Sequence, residues 1–280
     1  IAPDGLEHLK FGKADTDFIS ILFCDIRSFT SLSEKMTPQE LVDFLNDFFK
    51  RMTAPISQNK GFVDKFIGDC VMALFSLPEE TNATEALNSV MAAIGMQEQI
   101  DSFNIDNNRS GDNLLRVGVG IHSGPVIIGT VGSEERMEST VTGDTVNLAA
   151  RLEGLTKFYR SKILISQSTH DFIQPESNIE FRELDLVQVK GKDEPVTIFE
   201  VCNSDPEPTR EQKLGSREKF AEALTNYRAQ KWTAAMTKFK SCLKDCPEDG
   251  AAELYLERCK VFKKTPPPKD WKGEQVFTQK

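Results

Sequence analysis

The chain has 280 residues, of which 39% are hydrophobic, so it can form one large domain or two smaller ones with a substantial core. Its formal net charge of −9 argues against nucleic acid or an anionic membrane surface as the partner, although local cations or bound metals could still serve a phosphate substrate. Six cysteines without a Cys-x-x-Cys pair, beside only three histidines, argue against a zinc site and predict the reduced thiols of a cytoplasmic protein.

From residue 18 onward, strand-like and helix-like segments alternate. The run 18–26 is continuously apolar, which is typical of a buried strand, and Thr37-Pro38 with Glu40 marks a helix start with a capping box. In chain order the predicted elements are strand 18–26, helix 37–60, strands 62–67 and 70–75, helix 82–104, strands 114–122 and 126–131 turned at Ser123-Gly124, helix 145–157, and short strands near 162–165, 179–189 and 196–202. This order predicts an α+β sandwich of ferredoxin-like type over residues 18–202, after a linker at 1–17.

The composition changes after residue 202. Residues 203–212 are rich in Pro, Asp and Glu and are interpreted as a linker, whereas 213–264 is wholly helical, with the spacing of a tetratricopeptide (TPR) helix pair. Only about one and a half repeats fit, and such repeats need neighbours to bury their faces. We therefore expect this segment to pack on the first domain or on its partner, and residues 265–280 to form an extended Pro-rich tail.

Two carboxylates in the first half of the chain suggest chemistry. Asp25 ends an apolar strand, where an unpaired charge is costly, and Asp69 lies in a predicted hairpin turn four residues after Lys65. Each has a plain interpretation, since Asp25 could cap the next segment and Asp69 could serve the turn. Together, on adjacent strands, they fit a hard cation such as Mg²⁺ that is held jointly with substrate phosphates. Backbone N–H groups of Phe29 and Thr30 could face such a phosphate.

A second polar group lies on a later helix. Asn147 and Arg151 are four residues apart and share one helix face. A solvated surface explains any single pair of this kind, but the surrounding positions are apolar or small, which favours a cleft. Lys190, near a strand end, is a further candidate cation or an ordinary hairpin lysine.

Five segments, in this order, resemble the successive motifs of class III nucleotidyl cyclase catalytic domains: ILFCDIRSFTSLSEKM, VDKFIGDCVMALF, VGVGIHSGPVIIGTVG, TGDTVNLAARLE and VKGKDEPVTIFEV. The resemblance covers residues 18–202 and implies the same ferredoxin-like α+β fold. It departs at Ser28, where glycine is frequent in the phosphate-binding turn. Position by position, it implies two divalent metal ions (Mg²⁺ or Mn²⁺) on Asp25, Asp69 and the Ile26 carbonyl, base recognition by Lys65 and Thr140, ribose orientation by Asn147, phosphorane stabilisation by Arg151, and binding of the terminal phosphates by Lys190.

In this family the active sites lie between two protomers, so the resemblance implies a head-to-tail homodimer with two equivalent sites. Lys65 can only donate and Thr140 can accept, which matches N1 and the 6-amino group of adenine; guanine would favour an acidic residue at position 65. The expected function is therefore an adenylate cyclase that converts ATP to cyclic AMP and pyrophosphate. A guanylate cyclase and a degenerate nucleotide-binding regulatory domain are the alternatives.

No segment approaches the roughly 20 apolar residues of a membrane span. The chain starts at Ile1 without an initiator methionine. We therefore expect a cytoplasmic catalytic part of a longer protein, whose upstream sensor or membrane anchor lies outside this sequence.

Overall fold

The computed structural model describes residues 14–77, 80–133, 136–173, 175–189 and 194–277. The helices are α1 (Phe29–Ser33), α2 (Pro38–Gln58), α3 (Asn82–Asp106), α4 (Asp144–Tyr159), α5 (Gln167–Phe172), α6 (Thr209–Gly215), α7 (Arg217–Arg228), α8 (Trp232–Asp245) and α9 (Gly250–Lys264). The strands are β1 (Ala14–Ile26), β2 (Phe62–Ile67), β3 (Cys70–Phe75), β4 (Val117–Ser133), β5 (Arg136–Thr142), β6 (Ile163–Ser166), β7 (Phe181–Val189), β8 (Val196–Val201) and β9 (Gln275–Phe277). None of these helices is long and apolar enough to span a lipid bilayer.

The strands form one mixed sheet in the order β2-β3-β1-β4-β6-β8-β7-β9, and β5 pairs with β4. β1 lies inside the sheet, antiparallel to β3 and β4. Successive side chains of a strand point to opposite faces, so β1 contributes to two cores. Leu22 and Cys24 join the core under α2 and α3, whereas Ile21 and Phe23 join the core of the α4 face. The predicted α+β sandwich with a buried first strand is confirmed.

The predicted turn in the middle of β4 is wrong, because the strand continues through Gly124 and Pro125. These residues pair with Ile19 and Phe18 of β1. A Cβ atom on Gly124 would lie 2.7 Å from Thr145 Oγ1, and the Thr145 hydroxyl donates to the Pro125 carbonyl oxygen at 2.6 Å. The glycine therefore permits the close approach of the first turn of α4 instead of reversing the chain.

The C-terminal helices share a hydrophobic core with the sheet. This core joins buried residues of α4 and the β6–β8 region to buried residues of α7, α8 and α9, among them Leu152, Tyr159, Leu184, Ile198, Phe220, Tyr227, Phe239 and Tyr255. The Pro-rich tail folds back on the helices, since Trp271 packs against Tyr227 and β9 pairs in parallel with β7. The helical segment is thus packed on the sheet, as its short repeat predicts, while its likeness to a TPR pair stays a prediction.

Candidate active site

The end of β1 and the turn between β2 and β3 bring Asp25 and Asp69 together. The turn uses Gly68 at φ 65°, a conformation that glycine adopts without steric cost. The backbone N–H of Ile26 donates to Asp69 Oδ2 at 3.3 Å. Burial, a hydrogen bond with the Asp25 carboxyl group and its charge raise the pKa of Asp69 to about 7. The two carboxylates predicted from the sequence therefore face one another.

This pair has the donor chemistry of a divalent-cation site. In the described ranges no group of three or more His, Cys, Asp or Glu side chains could hold a metal ion by itself. Burial and the neighbouring Asp25 charge raise the pKa of Asp69, and a cation bound between the two carboxylates would favour their charged forms. Asp25, Asp69 and the intervening backbone at Ile26 thus fit a hard ion such as Mg²⁺ or Mn²⁺ whose remaining ligands are substrate or water oxygens.

The two predicted base-recognition residues lie on β2 and β5. Lys65 pairs with Met72, and a bulge between Val63 and Lys65 inserts Asp64 into the strand. The Lys65 Nζ lies 3.3 Å from Asp64 Oδ2, with 38% of the lysine side chain exposed. Thr140 is half-buried on β5. No hydrogen bond joins Lys65 to Thr140 among the described contacts, and the Lys65 ammonium group stays partly exposed beside Asp64.

Asn147 and Arg151 lie one turn apart on α4, as predicted. Leu148 and Leu152 of the same helix are buried, whereas Asn147 is exposed and Arg151 is half-buried. Neither polar side chain makes a hydrogen bond or an ion pair with another described residue. The packing of α4 on the sheet thus fixes the helix while leaving an amide and a guanidinium unengaged on its accessible side.

The predicted phosphate-binding residues fall partly within the described structure. Phe29 and Thr30 open the short helix α1, directly after Ser28. Ser28 has φ 57°, in the left-handed region that favours glycine, which is the residue that the family resemblance expects there. Lys190 lies outside the described residues.

Sequence reasoning missed an ion pair beside the carboxylates. Arg27 Nη1 lies 3.2 Å from Glu153 Oε1, and Glu153 is buried. Burial raises the pKa of Glu153 to about 7, although Arg27 acts in the opposite direction. Gly118 allows the guanidinium to enter, since a Cβ atom there would lie 1.8 Å from Arg27 Nη2. The only hint in the sequence is proximity, because Arg27 follows Ile26 and Glu153 stands two residues after Arg151.

A family model described as "Adenylate and Guanylate cyclase catalytic domain" matches residues 12–201. The chain belongs to this cyclase family. The facing carboxylates of Asp25 and Asp69, and separately Asn147 and Arg151 on α4, are therefore the candidate active-site groups of a cyclase catalytic domain.

Similar proteins include both kinds of cyclase. The cyclase chain is 40% identical over 260 residues, or 92% of its length, to "Adenylate cyclase, terminal-differentiation specific" of Dictyostelium discoideum, and 46% identical over 206 residues, or 72% of its length, to "Adenylate cyclase" of Anabaena cylindrica. It spans 12% and 40% of these relatives' own lengths. The crystal structure of an adenylyl cyclase from P. aeruginosa matches with TM-score 0.61 and 32% identity over 68% of this chain and 95% of that one. A guanylyl cyclase structure matches with TM-score 0.59 and 33% identity over 70% and 96%.

Proposed function

We propose that this cyclase domain is an adenylate cyclase, which converts ATP to 3′,5′-cyclic AMP and pyrophosphate. The observation that carries the proposal is the proximity of two carboxylates. Asp25 lies at the end of β1, and it faces Asp69, which lies in the turn of the hairpin that also carries Lys65. Two carboxylates that face one another attract divalent cations, and divalent cations attract a triphosphate.

Adenine is the base that the available side chains suit. The Lys65 ammonium group only donates hydrogen bonds and matches N1 of adenine, whereas the Thr140 hydroxyl can accept from the 6-amino group. The names of the Dictyostelium and Anabaena relatives support the same substrate. The overall fold does not distinguish ATP from GTP as the substrate, because adenylyl and guanylyl cyclase structures match about equally well.

The proposed reaction is an intramolecular phosphoryl transfer. The ribose 3′-oxygen forms a bond to the α-phosphorus in line with the bond to the β-phosphate oxygen, which breaks; pyrophosphate leaves and the hydroxyl proton passes to solvent. Asn147 would hold the ribose, and Arg151 would donate to the phosphorane oxygens as negative charge develops there. Backbone N–H groups of Phe29 and Thr30, together with Lys190, would bind the phosphates.

Two divalent cations, Mg²⁺ or Mn²⁺, are the proposed cofactors. When bound at Asp25, Asp69 and the Ile26 carbonyl, such ions lower the pKa of the 3′-hydroxyl and offset the charge of the polyphosphate. The two carboxylates would hold the cations. Their surroundings are partly buried, as the raised pKa of Asp69 reflects, so few water molecules would compete with the carboxylate oxygens for the cations.

We further propose that the enzyme acts as a head-to-tail homodimer, in which Asp25 and Asp69 of one protomer face Asn147 and Arg151 of its partner. The side chains of Asn147 and Arg151 support this arrangement, because neither has a hydrogen-bond or ion-pair partner among the described residues of its own chain. The six free cysteines support a cytoplasmic setting, and the greater length of the two named relatives supports an accompanying sensor region.

The deciding experiment is incubation of the protein with ATP and Mn²⁺ or Mg²⁺, followed by chromatographic separation of the nucleotides. Cyclic AMP should form with the native chain and fall below detection with Asp69→Asn. Asp106→Asn is the matched control, because Asp106 is an exposed carboxylate that pairs with Arg51 away from the site. Equal product from the native chain and Asp69→Asn would refute the assignment.

Guanylate cyclase is the second candidate, since a guanylyl cyclase shares the fold and a similar level of identity. Competition of ATP with GTP in the same assay separates the two functions. A preference for ATP supports the role of Lys65 and Thr140, and a preference for GTP would assign the domain to the other branch.

A further inference from the structure

The C-terminal end of α4 is held by a buried polar cluster that the proposed chemistry does not use. We call it the anchor cluster and define it as Tyr159 of α4, Asp185 of β7, and Tyr255 and Arg258 of α9. The exposed fractions of these residues are 1%, 1%, 0% and 8%. A charged pair and two phenols are thus enclosed where the helical segment meets the sheet.

Each polar end in the anchor cluster has a defined partner. The Tyr159 hydroxyl donates to Asp185 Oδ2 at 2.5 Å, and Arg258 Nη1 donates to the same oxygen at 2.6 Å. Arg258 Nη2 lies 3.4 Å from the Tyr159 oxygen, and the Tyr255 hydroxyl donates to the Leu184 carbonyl at 2.9 Å. The guanidinium carbon also lies 4.9 Å from the centre of the Tyr255 ring. The contacts therefore define one orientation of α4 relative to β7 and α9.

A second buried network fixes the beginning of α9 to the same strand. Arg182 of β7 donates to Asp249 at 2.5 and 3.0 Å and to Glu200 of β8 at 2.6 Å. Lys213 of α6 bonds to Glu200 at 2.7 Å. Burial alone would raise the pKa of Glu200, but Lys213 and Arg182 reverse this effect and lower it to about 2. Strand β7 thus holds α9 at two points, and α9 in turn holds α4.

Hydrophobic packing alone could stabilise the interface between α4, β7 and α9. Replacing a buried ion pair with apolar side chains is often neutral or stabilising, because desolvation of the charges offsets their attraction. Directional hydrogen bonds favour one relative orientation of the packed elements, whereas apolar contacts specify the orientation less sharply. The anchor cluster therefore suits a role in holding α4 in one position.

The position of α4 matters because this helix carries Arg151. Tyr159 lies eight residues after Arg151 on the same unbroken helix, about 12 Å along its axis. We propose that Tyr159, Asp185 and Arg258 are positioning residues, through which the C-terminal helical segment sets the location of Arg151 for phosphoryl transfer. This inference rests on the proposed function, in which Arg151 meets the phosphorane.

The extent of the similarity to one relative supports the proposal. The match with the Dictyostelium adenylate cyclase covers 92% of this chain, so it must include most of the helical segment, whereas the Anabaena match covers 72%. The helical segment therefore accompanies the catalytic domain as one unit in at least one other protein.

The test compares steady-state kinetics of the full chain with those of Tyr159→Phe, Arg258→Met and Arg258→Lys. Misplacement of Arg151 weakens a contact made only in the transition state, so kcat should fall roughly tenfold while KM stays within about twofold. Arg258→Lys should retain more of kcat than Arg258→Met, because lysine keeps the positive charge and can still donate to Asp185, although it lacks the planar fork of arginine. Tyr159→Phe removes only a hydroxyl group, so it keeps the test valid if Arg258→Met fails to fold.

The control is Ala235→Gly, at a buried position near the start of α8, which removes no polar contact of the anchor cluster. It should lower the melting temperature by roughly 2–4 °C and leave kcat within about twofold. If Tyr159→Phe and Arg258→Met behave like this control, the anchor cluster is only structural and the proposal fails. If the native chain itself makes no cyclic AMP, the proposed function fails, and this inference fails with it.

Discussion

The Arg27 guanidinium lies 3.2 Å from the Glu153 carboxylate, and this ion pair joins the end of β1 to α4. Arg27 stands two residues after Asp25, and Glu153 stands two residues after Arg151. The pair therefore links, within one protomer, the proposed metal-binding carboxylates to the proposed transition-state arginine. In the proposed head-to-tail dimer these two groups would belong to different active sites, and the Arg27–Glu153 pair would connect the two sites through one protomer.

Removal of one member of the Arg27–Glu153 pair should lower the stability of the folded protein. Glu153→Ala leaves the Arg27 side chain, which is 22% exposed, without its partner, and we expect a loss of about 1–3 kcal/mol in the free energy of unfolding. Glu153→Gln should lose less, because the amide oxygen can still accept from Arg27. Urea denaturation of the three proteins measures the difference; equal losses for both variants would show that the hydrogen bond contributes nothing.

Arg151→Ala should slow the reaction without weakening substrate binding. The guanidinium is proposed to meet charge that develops only in the transition state, so kcat should fall about 10²–10³-fold at nearly constant KM. Arg151→Lys should retain part of the activity, since it keeps the charge but loses the planar fork. Steady-state rates of cyclic AMP formation provide the measurement. A rise in KM at unchanged kcat would instead place Arg151 in ground-state binding.

Local sequence signals were enough for the hairpin that carries Asp69. The strands 62–67 and 70–75 were predicted with the bounds that the structure shows, because apolar strands around a Gly-Asp turn are specified by neighbouring residues. The proximity of Asp25 and Asp69 was predicted as well, because the buried strand that ends in Asp25 was expected to lie next to this hairpin.

Features that depend on distant residues could not be predicted in the same way. Gly124-Pro125 has the composition of a turn, and only the approach of Thr145 from α4 explains why the strand continues. β5 was missed because its polar residues lack a clear apolar alternation. The Arg27–Glu153 pair spans 126 positions of the chain, and periodicity carries no information about such a contact.

Mixing two inactive variants should restore activity if the sites are shared between protomers. Asp69→Asn damages the metal side and Arg151→Ala the opposite side, so a mixed dimer keeps one intact site out of two. Random exchange at equal amounts should recover about a quarter of the native activity, because about half of the dimers are mixed. Cyclic AMP formation after co-expression or prolonged mixing measures this recovery. Continued inactivity, with mixed dimers shown by native mass spectrometry, would contradict the head-to-tail arrangement.

Glu85 should make the protein less stable as the pH rises. It is 6% exposed at the start of α3 and accepts from the backbone N–H of Leu77 at 3.1 Å. Burial and the Asp17 carboxylate raise the pKa of Glu85 from 4.5 to about 7. Between these values the folded state binds more protons than the unfolded state, so stability falls with increasing pH and the penalty is largest above pH 7.

Glu85→Gln should therefore stabilise the protein by about 1–3 kcal/mol at pH 8 and by less than about 1 kcal/mol at pH 5. The glutamine oxygen can still accept from Leu77, so the hydrogen bond persists. Glu98→Gln is the matched control, because Glu98 is an exposed glutamate on the same helix. Denaturation midpoints at the two pH values decide the matter; an equal effect at both would exclude ionisation of Glu85 as the cause.

Lys65→Glu should shift the base preference from adenine toward guanine. A carboxylate accepts hydrogen bonds from N1–H and N2–H of guanine, but it offers no donor to N1 of adenine. The loss of a hydrogen-bonded base contact should lower kcat/KM for ATP by roughly 10²–10³-fold and reduce the ratio of ATP to GTP turnover. Because 38% of the Lys65 side chain is exposed, the substitution should leave the melting temperature nearly unchanged. Parallel assays with both nucleotides test this, with Lys60→Glu as a control on an exposed lysine that pairs with Glu80 outside the site. If Lys65→Glu keeps the native ratio of ATP to GTP turnover, Lys65 does not read the base.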